Sequence, residues 1–300
     1  MTFKTVLPAG LALFSVTTKA QNVQNVDSAF IKHSSTMSQR WELGEENHKG
    51  LFLITPYKPV YVTAGRWSSN PNTKPTSENP AYTLPFRVNY NSYEAKFQFS
   101  LKSKMARKIF WGNGDLWIAY TQKAHWQVYN EKLSRPFREL NYEPEIILNF
   151  TTNYKVGGLT GRMIGVSLTH QSNGRTLPLS RSWNRIIFHA GFESKHWQVM
   201  LRPWIRLHDD EDENPAITDF VGRGEAVVVF NTHKCQFSSV MTHNMKFKNW
   251  GRGSIQLNWV FPVINNLRGM IQYSEGYGET LQDYNHRQAT LGVSMALVDW

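Results

Sequence analysis

The chain has 300 residues, a formal charge of +10, a single cysteine and 13% aromatic residues, which on length allows one large domain or two. No stretch approaches the roughly 20 apolar residues that a spanning helix needs, so helical membrane spans are excluded. Lys and Arg are scattered, with no Cys/His finger, RNP-like aromatic motif or dense basic run, which argues against nucleic acid as a partner.

At the N-terminus Lys4 precedes the apolar run Val6 to Val16, and Thr18-Lys19-Ala20 places small residues where a signal peptidase cuts. Residues 1–20 therefore read as a removed secretory signal, although Lys19 departs from the pattern. Export implies an oxidising compartment, yet Cys235 has no partner in the chain, so packing or a membrane must stabilise the fold. For an exported basic chain, anionic lipid headgroups are the better electrostatic partner. Residues 21–47 are polar, mixed in charge and without periodicity, and read as a periplasmic extension ahead of a body spanning 48–300.

Beyond residue 48 the recurring signal is a segment of roughly ten residues alternating apolar and polar, the signature of a transmembrane β-barrel. Phe97, Phe99 and Leu101 alternate with Lys96, Gln98, Ser100 and Lys102. Trp197, Val199 and Leu201 do so with Gln198 and Arg202, Ile255 to Phe261 with Gln256 and Asn258, and Leu291 to Leu297 with Gly292, Ser294 and Ala296. About twelve such segments follow a first strand placed near 49–63, an even number as an up-and-down antiparallel all-β barrel of the outer membrane requires. Connections near 64–90, 129–142, 171–181, 208–220, 246–252 and 276–287 are long. Those near 154–158, 193–195, 232–235 and 262–266 are short, as periplasmic turns should be, with 103–114 as the exception. Trp117, Tyr120, Trp126, Trp183 and Trp259 lie near strand ends, where interfacial girdles form.

One loop carries the candidate chemistry. Hydroxyl-based acyl transfer needs a Ser within reach of a His and a third group that fixes the imidazole tautomer; His170, Ser172 and Asn184 offer these. A His two residues from a Ser is common in polar loops, so parity decides. Ile164, Val166, Leu168 and His170 share one strand face, and Asn184, Ile186 and Phe188 repeat the pattern after the loop. A hairpin would bring the trio together on the apolar face, at the outer rim of the barrel, which suggests an apolar substrate.

His170-Gln171-Ser172-Asn173-Gly174-Arg175 and Ser180-Arg181-Ser182-Trp183-Asn184-Arg185 resemble the active-site block of outer-membrane phospholipase A. Tyr120-Thr121-Gln122-Lys123, Pro136 to Glu139, Asn141 to Pro144, Glu213-Asn214-Pro215 and Gly276 to Asn285 agree in order and spacing, so the resemblance covers roughly residues 90–300. It implies a twelve-stranded barrel that hydrolyses acyl esters of phospholipids and lysophospholipids, requires calcium and is activated by dimerisation. Ser172 then matches the nucleophile, His170 the base, Asn184 the orienting residue and the Gly174 N–H the oxyanion donor. The matching calcium positions are the Arg175 carbonyl, the Ser180 hydroxyl and Ser134 from a second subunit, with Gln122 facing the partner. Leu177 stands where family members can carry an acid. The rival readings are a transport barrel, an outer-membrane hydrolase acting on lipopolysaccharide acyl chains or peptides, and a soluble secreted β-barrel binding module. The acidic run Asp209 to Glu213 reads as a solvated loop.

Overall fold

The computed structural model describes residues 35–247, 251–264 and 267–300, so the signal segment and residues 21–34 of the extension lie outside the described residues. Thirteen strands form one antiparallel sheet: β1 (Ile54–Pro56), β2 (Val60–Ser68), β3 (Tyr93–Ala106), β4 (Asp115–Trp126), β5 (Phe137–Val156), β6 (Leu159–Ser172), β7 (Ser182–Glu193), β8 (Trp197–Arg206), β9 (Gly224–Asn231), β10 (Gln236–His243), β11 (Gly253–Ile264), β12 (Leu267–Gly276) and β13 (Gln288–Val298). Strands β2 to β13 pair in sequence, β13 pairs with β2, and the twelve close into a barrel; β1 is an extra short strand on β3. Pairing therefore begins at Ile54 rather than at residue 49, and the expected first strand is broken at Tyr57–Pro59 before resuming along the same neighbour.

The connections sort as the alternation predicted, with two corrections. Gly157 and Gly158, both at positive φ, form a two-residue turn between β5 and β6. Strand β5 begins at Phe137, so the outer connection before it shortens to 127–136 and the stretch through Pro144 is strand.

Parity sorts the wall into two chemistries. On β6, Ile164 and Leu168 are 44% and 52% exposed, whereas Ser167 and Thr169 are 2% and 1% exposed. Phe99, Leu201, Leu257, Trp259 and Leu291 continue the outward apolar belt, while Lys96, Gln98, Ser100 and Lys102 are buried inside. Trp117 and Trp183 are also inside, not in a girdle, because they share parity with Ala119 and Arg185.

Inside, charge is matched by charge. Glu94 accepts from Arg66 at 2.7 Å, His125 at 2.8 Å and Arg138 at 2.9 Å. Lys96 donates to Glu279 at 2.7 Å, and Arg202 to Glu145 at 2.8 Å. Pairing of this kind offsets the cost of burying these charges.

Residues 35–47 do not stand apart as an extension. A short helix, α1 (Met37–Arg40), is held at its start by Thr36 and Gln39 in a reciprocal capping box. It carries Met37, Trp41 and Leu43 into a cluster with Trp117, Ile147 and Met163 at the short-turn end of the lumen. The ammonium of Lys102 lies 3.6 Å from the Trp41 ring centroid, a cation–π contact that replaces a missing carboxylate. Glu45 is hydrogen-bonded by Arg107 and Lys108, which hold its carboxyl at about 2, latching this segment to the connection after β3.

Candidate active site

The β6–β7 hairpin sets the site. Its register places His170 opposite Asn184 and Ser172 opposite Ser182. His170 Nδ1 donates to Asn184 Oδ1 at 2.8 Å, on the outer wall. That bond fixes the tautomer in which Nε2 carries the free lone pair. Ser172 lies two residues further on the same face, and its hydroxyl makes no hydrogen bond, to His170 or any other group, among the described residues. Catalytic hydrogen bonds of this kind often tighten only with substrate in place.

The neighbouring strand contributes an irregularity. Strand β5 pairs Tyr142 with Ser172 and Glu145 with Thr169, but no pair lies between them, where Pro144 has no N–H to give. Beyond Ser172 the chain leaves the sheet at Asn173 and Gly174. Gly174 has φ +62°, and a Cβ there would lie 3.2 Å from Tyr142 Cε2, so both backbone angle and space favour glycine. Gly174 and Arg175 are exposed residues, two and three positions beyond Ser172.

A family model described as phospholipase A1 matches residues 37–297. The chain is 35% identical over 254 residues to the phospholipase A1 of Klebsiella pneumoniae, covering 85% of each chain, and 34% identical to that of Escherichia coli K12, covering 85% of this chain and 84% of the relative. It superposes on the Salmonella typhi outer membrane phospholipase dimer with bound calcium with a TM-score of 0.75 and 34% identity, over 84% of this chain and 94% of that one. The chain belongs to the phospholipase A1 family. It is accordingly a phospholipid ester hydrolase of the Gram-negative outer membrane.

Of the remaining expected residues of this phospholipase, Gln122 lies on the same sector as Ser172. Gln122 on β4 pairs with Tyr142, and Tyr142 with Ser172, so Gln122, Tyr142 and Ser172 form one row across three strands on the outward face. The Gln122 amide oxygen accepts from the Tyr120 hydroxyl at 3.2 Å; its nitrogen makes no hydrogen bond among the described residues. Ser134 is exposed at positive φ (59°) in the outer connection after β4. It is not brought to Ser180 or Arg175 within one chain by any contact among the described residues. Ser180 donates to Glu213 Oε1 at 2.5 Å.

Sequence reasoning missed that last contact. Glu213 ends an acidic run read as a solvated loop, yet its Oε2 is buried without a hydrogen-bond partner. It missed as well how the site loop is held: Asn173, Arg181 and Glu139 are all buried beneath it. The available signal was the resemblance of Glu213-Asn214-Pro215 to the family pattern, which gave the position without its role.

Proposed function

We infer that this phospholipase works through Ser172, His170 and Asn184, and the single observation that carries the reading is the 2.8 Å His170–Asn184 bond on the lipid-facing wall with Ser172 on the same face. A glycerophospholipid entering from the outer leaflet presents its ester carbonyl at the rim. His170 Nε2 takes the proton of Ser172 Oγ as that oxygen attacks the carbonyl carbon. The carbonyl oxygen becomes an oxyanion facing the Gly174 N–H. Collapse expels the glycerol oxygen, which takes the proton from His170, and leaves an acyl-serine. Water, deprotonated by the same imidazole, attacks the acyl carbon; the acyl–Oγ bond breaks, Ser172 Oγ takes the proton back from His170, and the fatty acid leaves. Asn184 orients the ring throughout but cannot offset the imidazolium charge as a carboxylate would, so charge stabilisation is needed at the oxyanion.

Calcium fits the donors present. The Ser180 hydroxyl, the Arg175 carbonyl and the unpartnered Glu213 Oε2 are hard oxygen ligands of the type this ion selects, and Glu213 supplies an acid where Leu177 has none. When bound, the ion adds positive charge and polarised water beside the oxyanion.

Two observations support activation by dimerisation: Gln122 stands level with Ser172 on an apolar wall where an unpaired amide is costly, and the similar Salmonella typhi structure is a dimer. Ser134 of the partner subunit would then complete the oxygen ligands, leaving a monomer short of one.

The test is fatty-acid release from mixed micelles by wild type and Ser172→Ala, each with calcium and with chelator. Activity only in calcium-loaded wild type is expected. Chelator-insensitive release, or release by Ser172→Ala, would overturn the mechanism.

A further inference from the structure

We propose that Asn173 is a positioning residue for the reaction, setting the direction of the Gly174 N–H and the Arg175 carbonyl, and that buried Glu139 is the anchor that holds it; this rests on the roles given above to Gly174 and Arg175.

Asn173 is 2% exposed, and its side chain is fully used. Its Oδ1 accepts from the backbone N–H of Arg175 at 3.2 Å and of Arg181 at 3.0 Å. Its Nδ2 donates to the Leu179 carbonyl at 2.8 Å and to both oxygens of Glu139 at 3.3 and 3.4 Å. Its own N–H donates to the Arg181 carbonyl at 3.0 Å. One side chain thus ties the first and last residues of the loop 173–181 together.

The bond to the Arg175 N–H closes a small ring that contains ψ of Asn173 and both backbone angles of Gly174. Those angles decide where the Gly174 N–H points. Glycine at φ +62° has no side chain to resist rotation, so the ring replaces the steric restraint that the residue lacks. Parity turns Asn173 toward the lumen, away from substrate, so it acts through its neighbours.

Glu139 is 1% exposed and reaches the loop from β5. It also accepts from Asn141 Nδ2 at 2.8 Å and from the Gln282 N–H at 3.3 Å, which joins it to the connection between β12 and β13. The anchor is therefore fixed from two elements before it meets Asn173. Arg181 braces the opposite end: its guanidinium donates to the Ser180 carbonyl at 2.7 Å and to the Tyr82 carbonyl in the connection between β2 and β3 at 2.7 Å.

The experiment compares Asn173→Asp, Glu139→Gln and the double variant with wild type, using full-length protein in mixed micelles. Asn173→Asp keeps the acceptor but loses the donor and sets two carboxylates against each other. Three readouts are taken: kcat and KM, the calcium concentration that gives half-maximal activity, and the calcium-dependent protection of the Arg175–Thr176 bond from trypsin. Asn173→Asp should lower kcat by about a hundredfold, the scale of losing one oxyanion donor, with KM unchanged, and should need more calcium for protection. The double variant reverses donor and acceptor, the introduced amide on β5 donating to the introduced carboxylate in the loop, and should recover about tenfold, the worth of one hydrogen bond to a charged group. Wild-type kcat and wild-type protection in Asn173→Asp, or no recovery in the double variant, would overturn the positioning role. Activity surviving in a parallel Ser172→Ala sample would instead overturn the active-site assignment on which the role rests.

Discussion

Replacing Asn184 with alanine removes the acceptor that holds His170 at 2.8 Å and changes nothing inside the lumen, because the residue faces outward. A hydrogen bond to a group that becomes charged contributes about 1.5–3 kcal/mol. The imidazole gains its charge only as Ser172 is deprotonated, so most of that energy belongs to the transition state and not to substrate binding. Converted to rate, the loss is about ten- to a hundredfold in kcat, with KM unchanged. Asn184→Asp keeps the geometry and supplies the missing negative charge, so it should retain activity. Initial rates of fatty-acid release at saturating calcium, over a range of phospholipid in fixed detergent, give both constants. A wild-type kcat in Asn184→Ala would refute the orienting role. A loss as complete as that of Ser172→Ala would refute the view that the residue only orients, and would point to collapse of the β6–β7 rim.

Ser180→Ala removes one oxygen proposed for calcium and frees Glu213, so the calcium needed for half-maximal activity should rise, while a calcium titration identical to wild type would exclude Ser180 as a ligand. Gln122→Leu should weaken association of two chains by roughly three- to thirtyfold, from the 0.6–2 kcal/mol of a polar contact between membrane surfaces, as read by cross-linking yield against concentration; undiminished cross-linking would remove Gln122 from the interface. Burial is the largest influence on Asp283 and pushes its carboxyl up, but Arg138 at 3.0 Å and the Thr280 hydroxyl at 2.9 Å outweigh it, so the net shift is downward. A lowered carboxyl contributes stability above its unfolded value, about 3.9, and loses it as pH falls through the folded value. The urea-stability difference between wild type and Asp283→Asn should therefore hold from neutral pH to about 4 and shrink only below that. A difference already lost between pH 7 and 5 would contradict the assigned direction.

Much of the barrel was readable because outward and inward residues alternate so cleanly on β3, β6, β8, β11 and β13. The same parity put His170 and Asn184 on the apolar side before any pairing was known. What stayed hidden depends on contacts distant in sequence. Residues 137–142 read as part of a loop since Pro136, Pro144 and several charges interrupt the pattern, yet Arg138, Glu139 and Glu145 point into a lumen that supplies each with hydrogen-bonding partners, and the ladder simply skips the position of Pro144. Residues 35–47 carried no periodicity because only Met37, Trp41 and Leu43 pack, and their cluster draws on Trp117, Ile147 and Met163, more than 70 positions away. The acidic loop looked solvated since nothing near it in sequence announces Ser180 as the partner of Glu213.

The two faces of β6 and β7 depend on each other. A slip of β7 by one residue against β6 would turn Asn184 into the lumen, away from His170, and carry Arg185 and His189 out to lipid. An arginine on the lipid face costs about 2–4 kcal/mol at the midplane and less toward the interface. Arg185 is instead held inside by Glu143 at 2.9 Å and stacked 4.1 Å from the centroid of the Trp183 ring, and His189 is paired with Asn149 at 3.0 Å. These contacts make no approach to substrate, but they pin the register that aligns His170 with Asn184. Because the site is built on strands held from within and not on a free loop, its outer face can remain open to the bilayer without losing the alignment that the chemistry needs.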